Sequence, residues 1–339
     1  MPQLARDHHF VSQKLLKQWS LDGSNVWAYR ILVSHQNVPE WTVKPIRGVA
    51  WQENLYTTSD GGADSDEFEH WLESNYETPA HDTLEKVVND RPLASDDWER
   101  LALFLAAQDV RTPTTYLELI EQWDTGMPAL IDETLRDTVR ALENPGSQLR
   151  APAPKDEPDP FDDFFTITVN KPADTESLGS IKAEVVIGRR FWLASQKHLL
   201  TKTASVLRSH KWSIVEPAAG FSWFVTDHPV LRLNFYKNET HDLKGGWGNP
   251  GSELMMPLSP RHLLFTHVGQ DAPDRIRFSE DQSAKIQRFL AERAHRWIFA
   301  QQPVKRVAWL RPRHVNAEAF KAEEREWANW HDKQNAAEA

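Results

Sequence analysis

The residues most suited to chemistry stand first in the chain. Asp7-His8-His9-Phe10-Val11-Ser12-Gln13 places two adjacent imidazoles in an extended stretch just before a helix. Strand alternation sends their rings to opposite faces, so one can enter a cleft while the other braces it. Imidazole near neutral pH suits general-base work or metal ligation, which makes His8, His9 and Gln13 candidate catalytic residues. The competing reading is a pair of exposed terminal histidines. A second group is Gln108, Asp109 and Arg111. At 100° per residue Asp109 falls on the same helix face as Trp98, which is apolar, so its carboxylate must be paired, hydrogen-bonded or functional. Arg111 ends that helix before Pro113, where it can fork onto a carboxylate or phosphate, or tether helix to loop. A third is Asp227-His228-Pro229, with Asp227 at a strand end that suits a catalytic carboxylate or an Asx turn. A fourth is the stripe Glu69, Glu73, Glu77 with His70 and His81. Like charges four apart oppose a helix, so the stripe is either solvated or matched by a cation.

Cations and flat rings are interleaved between Val185 and Val215, a run without a single acid. It carries Arg189, Arg190, Lys197, Lys202, Arg208 and Lys211, with His198, His210, Trp192 and Trp212. Lys305 to His314 is a second such run, with Trp309. Cations neutralise phosphates and rings stack on bases, so Arg189, Arg190, Trp192 and Lys197 join Gln108 and Arg111 as candidate substrate-binding residues. Solvated helix faces have the same composition.

Four stretches together resemble a bacterial domain-of-unknown-function family, number 4238. They are His8-His9-Phe10-Val11-x-Gln13 with Leu16 and Trp19-Ser20; Asn54-Leu55-Tyr56; Phe104 to Gln108 with Arg111-Thr112-Pro113; and Phe224-Val225-Thr226-Asp227-His228-Pro229-Val230 with Met256-Pro257-Leu258-Ser259-Pro260. The family pattern has proline at Ser12 and asparagine at His228. The resemblance implies a cytoplasmic bacterial protein, some of whose relatives sit in mobile or phage-defence gene neighbourhoods. It supplies candidate positions and no reaction.

Composition narrows the chemistry. The 339 residues hold no cysteine, which removes disulfides, thiolate catalysis and iron–sulfur clusters. Neither a Walker loop, a Gly-x-Gly-x-x-Gly turn, a His-Glu-x-x-His helix nor a Gly-x-Ser-x-Gly elbow is present. No apolar run is long enough to span a membrane. The net charge of −10 is uneven: residues 1–160 carry 14 Lys and Arg against 28 Asp and Glu, and residues 161–339 carry 25 against 21. Such asymmetry suits a polyanion partner, or two halves that attract each other.

The elements that must position these groups change style along the chain. Helical periodicity runs through Val11–Trp19, 66–89 with a break at Pro79, the helix opening at Ser95, 116–123 and 129–142. Pro145 to Pro160 reads as an exposed linker. Strands follow at 164–169, 181–187, 211–215, 221–225, 230–235, 254–258, 262–267 and 304–310. Helices are expected at 191–209, from Ser279 to 296, and at 316–330. Short strands are also expected at 26–33, 41–43 and 54–57. This order predicts an α+β fold: an acidic helical subdomain over 1–148, a linker over 149–160, and a β-rich subdomain with basic segments over 161–339 that packs on it. The expected function is a hydrolase on nucleic acid. Phosphodiester cleavage would be assisted by histidine or by a divalent metal such as Mg²⁺ or Mn²⁺, with Asp227 or Asp109 orienting the water. Base excision and a non-enzymatic binding or sensor module are the alternatives.

Overall fold

The computed structural model describes residues 4–60, 63–143, 161–170, 180–236 and 240–338. The expected linker at 149–160 lies outside them. The fold is α+β: short strands open the chain, long helices fill the rest of the N-terminal half, and a strand-rich C-terminal region ends in helices.

The histidine pair lies on a short strand, Asp7–His9, which runs antiparallel to Trp51–Glu53. The following helix is only one turn, Gln13–Leu16, continued by a 3₁₀ turn to Trp19. Burial holds it: Val11, Leu15, Leu16 and Trp19 are fully enclosed. The Ser12 hydroxyl makes no capping bond. Its backbone N–H instead donates to the Gln108 side-chain oxygen at 3.1 Å, tying the chain start to a distant helix.

The 66–89 stretch is helical but irregular. Helix Glu67–Leu72 widens into a π-helical turn at Glu73–Glu77, passes Pro79 in a 3₁₀ turn, and resumes as His81–Val88. Ser95 is the first residue of the Ser95–Val110 helix, but Asp97 closes that end. Its carboxylate accepts the Ala94 N–H (2.9 Å), the Thr83 hydroxyl (3.0 Å) and the Lys86 ammonium (2.8 Å). From Phe104 onward this helix is almost wholly enclosed: Phe104, Leu105, Ala106 and Ala107 are 0% exposed. The helix Pro113–Glu143 then runs unbroken through Pro128, longer than the periodicity suggests.

Six strands form the larger sheet, in the order His241–Asp242, Leu231–Phe235, Glu253–Ser259, His262–His267, Ser213–Glu216, Arg275–Arg277. Alternation divides its two faces between two cores. Ile214, Leu254, Met256 and Leu264 pack with the N-terminal helices. Val215, Met255, Leu263 and Phe265 pack with Ile286, Phe289 and Leu290 of helix Glu280–Arg293. Ser279 caps that helix through the Gln282 N–H, as its sequence suggests.

The four-stranded sheet interlocks the two halves. Its order is Val225–Thr226, Trp297–Ala300, Asn25–Arg30, Trp41–Pro45, so a late strand pairs with an early one, Phe299 opposite Ala28. Three local expectations fail. Residues 221–224 are loop, and only Val225 of the strand expected at 221–225 is paired. Asn54–Thr57 is a turn, with Asn54 at φ 52°. Residues 307–310 form a helical turn, and the strand lies earlier, at Trp297–Ala300, where Ile298 and Phe299 are fully enclosed between Val225–Thr226 and Asn25–Arg30. The chain closes with Ala317–Trp327, capped by Asn316, and a separate helix Trp330–Glu338 after a reversal at Asn329.

Candidate functional site

Seven of the motif residues, His8, His9, Gln13, Glu69, Glu77, Gln108 and Arg111, meet near the C-terminal end of the Ser95–Val110 helix. His8 is fully enclosed. Its Nδ1 accepts the Tyr56 N–H (2.9 Å), its Nε2 donates to the Ala5 carbonyl (2.9 Å), and its ring stacks on Tyr56. Burial pulls its pKa down to about 4, so the ring is neutral and both nitrogens are committed. It is a strut rather than a base. His9 is tied less fully. The Gln13 amide donates to its Nδ1 at 3.3 Å, and Arg111 donates to its carbonyl. Burial lowers its pKa as well.

Arg111 decides the meaning of the acidic stripe. It is 1% exposed and reaches Glu69 (3.2 Å), Glu77 and the Tyr56 ring. Two of the three stripe carboxylates therefore face a buried guanidinium, while Glu73 and His70 face solvent. Burial pushes the Glu69 pKa up and Arg111 opposes the rise. With its donors directed to two carboxylates and a carbonyl, Arg111 is an internal tie and is closed to a substrate phosphate. Gln108, bound to Ser12, is likewise internal.

Asp109 faces another neighbourhood. Its Oδ2 accepts the Trp247 indole N–H at 2.8 Å and lies 3.5 Å from the Arg232 Nε. Thr115 donates to the Asp109 carbonyl and lies 3.5 Å from His228 Nε2, which also receives Arg293 at 2.8 Å. Burial, reinforced by Arg293 and Arg232, holds the His228 pKa well below its ordinary value. Asp227 turns elsewhere: its two oxygens accept the backbone N–H groups of His295, Arg296 and Trp297 at 2.7 to 3.1 Å. That arrangement fastens strand Trp297–Ala300 beside Val225–Thr226 and commits both Asp227 oxygens.

The basic run divides in two. Arg189 is 0% exposed and bonds His331 (2.9 Å) and Asn335 (2.6 Å), with Glu338 at 3.5 Å. Trp192 is fully enclosed against Tyr56 and Tyr116. Neither is available to a phosphate or a base, because packing of the last helix and the aromatic core consumes both. Arg190 and Lys197 are exposed; the Arg190 backbone N–H meets Glu338, and the Lys197 ammonium lies 6.0 Å from the Trp71 ring.

The later part of the run lines a cavity of about 200 Å³. Arg208, His210 and Lys211 face Trp98, Glu99 and Asp274 across it. Trp98 is half-buried and presents part of its ring. Arg208 pairs with Glu99 at 3.0 Å, both about half exposed, so the pair is weak and open to competition. His210 Nε2 donates to the Trp247 carbonyl at 2.6 Å. Arg208, His210 and Lys211 were visible in the acid-free run, whereas Trp98 and Glu99 read only as a helix face and a dipole-favoured acid, and Asp274 carries no local signal. Among the described residues no group of three or more His, Asp or Glu side chains is arranged to hold a metal ion, and no helix is long and apolar enough to cross a membrane.

Comparison with known proteins yields a family and nothing finer. No curated protein and no solved structure matches the chain. A family of proteins of unknown function, DUF4238, matches residues 7–303 and so takes in the histidine pair, the Arg111 tie, the cavity and Asp227. By this match over most of its length the chain belongs to the DUF4238 family.

Proposed function

We propose that the protein is a hydrolase acting on nucleic acid, cleaving phosphodiester bonds at the cavity between Trp98 and Arg208. The observation that carries this reading is the meeting of two cations, one imidazole and one part-exposed indole on a single small cavity. Cations attract phosphate, and an indole face accepts any base. At about 200 Å³ the cavity is smaller than a drug-sized cleft and matches one nucleotide of a single strand better than a duplex. The Glu99 carboxylate that now holds Arg208 would be displaced by the phosphate, at small cost for so exposed a pair.

Base excision is the second reading. It is favoured by Glu99 and Asp274, carboxylates in the same base-sized cavity as Trp98. Incubation of the purified protein with plasmid, single-stranded DNA and RNA tests both, with Mg²⁺, Mn²⁺ or chelator as separate arms. Direct strand breaks support the first reading, and breaks that appear only after alkali support the second. Binding without either reduces the protein to a nucleic-acid-binding module, and absence of binding removes the proposal.

A further inference from the structure

We propose that His210 is the general base of this cavity and that Asp109 positions it through Trp247. The inference rests on the reading of the cavity as a nucleic-acid site and assigns its chemistry. The Nε2 of His210 donates to the Trp247 carbonyl, which fixes the proton on that nitrogen. The tautomer that this bond selects carries no proton on Nδ1. Among the described residues Nδ1 meets no donor, and it is not buried. His8 and His262 differ: each has both nitrogens engaged, His262 by Ser259 at 2.8 Å and Asp90 at 3.0 Å. His228 is fully enclosed with Arg293 on its Nε2. His210 combines an oriented tautomer, a free acceptor and a cavity wall.

Trp247 is in turn held. Its indole N–H donates to Asp109 Oδ2 at 2.8 Å, and Arg232 lies against the same oxygen. A buried carboxylate thus fixes the Trp247 indole, and the backbone carbonyl of the same residue fixes the imidazole. This accounts for an acid on the apolar face of the Ser95–Val110 helix. In the step, Nδ1 takes a proton from water as the water oxygen bonds to phosphorus. The bond from phosphorus to the leaving sugar oxygen breaks, and that oxygen takes a proton from bulk water. The imidazolium then returns its proton to solvent. Arg208 and Lys211 offset the charge that grows on the phosphoryl oxygens.

The test uses a fluorescein-labelled single-stranded oligonucleotide with the full chain. Three measurements are made: binding by anisotropy, cleavage kinetics, and modification of His210 by diethyl pyrocarbonate, read by peptide mass spectrometry with and without oligonucleotide. His210→Gln is expected to bind within about threefold of the parent while kcat falls by roughly 10²–10⁴. Asp109→Asn, a positioning change, is expected to lower kcat about tenfold or more with KM within about twofold. Saturating oligonucleotide is expected to protect His210 from modification in the parent protein, a readout that survives if a variant fails to fold. Cleavage by His210→Gln within about threefold of the parent overturns the base assignment, as does unprotected His210 in a bound complex. Binding and protection without any cleavage overturn the base role and leave a binding site. Absence of binding overturns the proposed function itself.

Discussion

The clearest energetic consequence concerns His8, a residue whose type and place suggest catalysis and whose surroundings make it a strut. Its pKa falls from 6.5 to about 4 because burial disfavours the imidazolium. The unfolded chain therefore binds a proton near pH 6.5 while the folded protein resists it down to about pH 4. The contribution of this group is whole above the unfolded value, declines as pH falls through that window, and declines no further below it. At about 1.4 kcal/mol per unit, the full window is worth about 3.5 kcal/mol, and the interval from about pH 7 to pH 5 about 2 kcal/mol. The perturbation is His8→Phe, which keeps a flat ring against Tyr56 and removes the titration. It strands the Tyr56 N–H and the Ala5 carbonyl, so the variant is expected to lose about 1–3 kcal/mol already at neutral pH. Urea unfolding of both proteins at the two pH values isolates the proton-linked term, because the other buried histidines titrate in both. The parent is expected to lose about 2 kcal/mol more than the variant on acidification. Equal losses, within about 0.5 kcal/mol, would refute the argument that His8 is held neutral by burial.

Further consequences follow from the internal ties. Arg111→Met leaves Glu69 and Glu77 without their cation and is expected to cost about 3–5 kcal/mol in urea unfolding. Adding Glu69→Gln and Glu77→Gln should recover part of that loss, and no recovery would argue against charge as its cause. Asp227→Ala strips three backbone N–H groups of their acceptor, so hydrogen exchange at 295–297 should rise sharply, while Asp227→Asn should show a smaller rise. Arg189→Ala should loosen the Trp330–Glu338 helix, read by exchange over 330–338, with the salt dependence of nucleic-acid binding unchanged. Arg208→Ala combined with Lys211→Ala should instead flatten the log–log salt slope by about one unit for each lost phosphate contact. An unchanged slope would remove both cations from the interface.

Much of the local architecture is legible in residue order. The angular position of Asp109 relative to Trp98 points its carboxylate inward, and Asp109 is buried, at an end of the Ser95–Val110 helix that is enclosed on every side. Ser279 marks a capped helix start, and the run at 262–267 is a strand over those same residues. Trp297–Ala300 escapes detection because four apolar residues following a helix have no period that separates strand from helix. Its identity depends on Asn25–Arg30, which is remote in the chain but adjacent in the sheet.

Residue type and spacing by themselves determined the α+β class, the faces that turn inward and the polar groups needing partners there. Tertiary structure alone decided who those partners are. The buried guanidinium that matches Glu69 and Glu77 comes from Arg111, and the acceptor that fastens 295–297 comes from Asp227. It also decided which cations of one acid-free run are spent on the last helix and which line a cavity, Arg189 among the first and Arg208 and Lys211 among the second. Periodicity reports the direction of a side chain from its own element. The free energy of a charge depends on what lies opposite, and distant segments supply that only after the chain has packed.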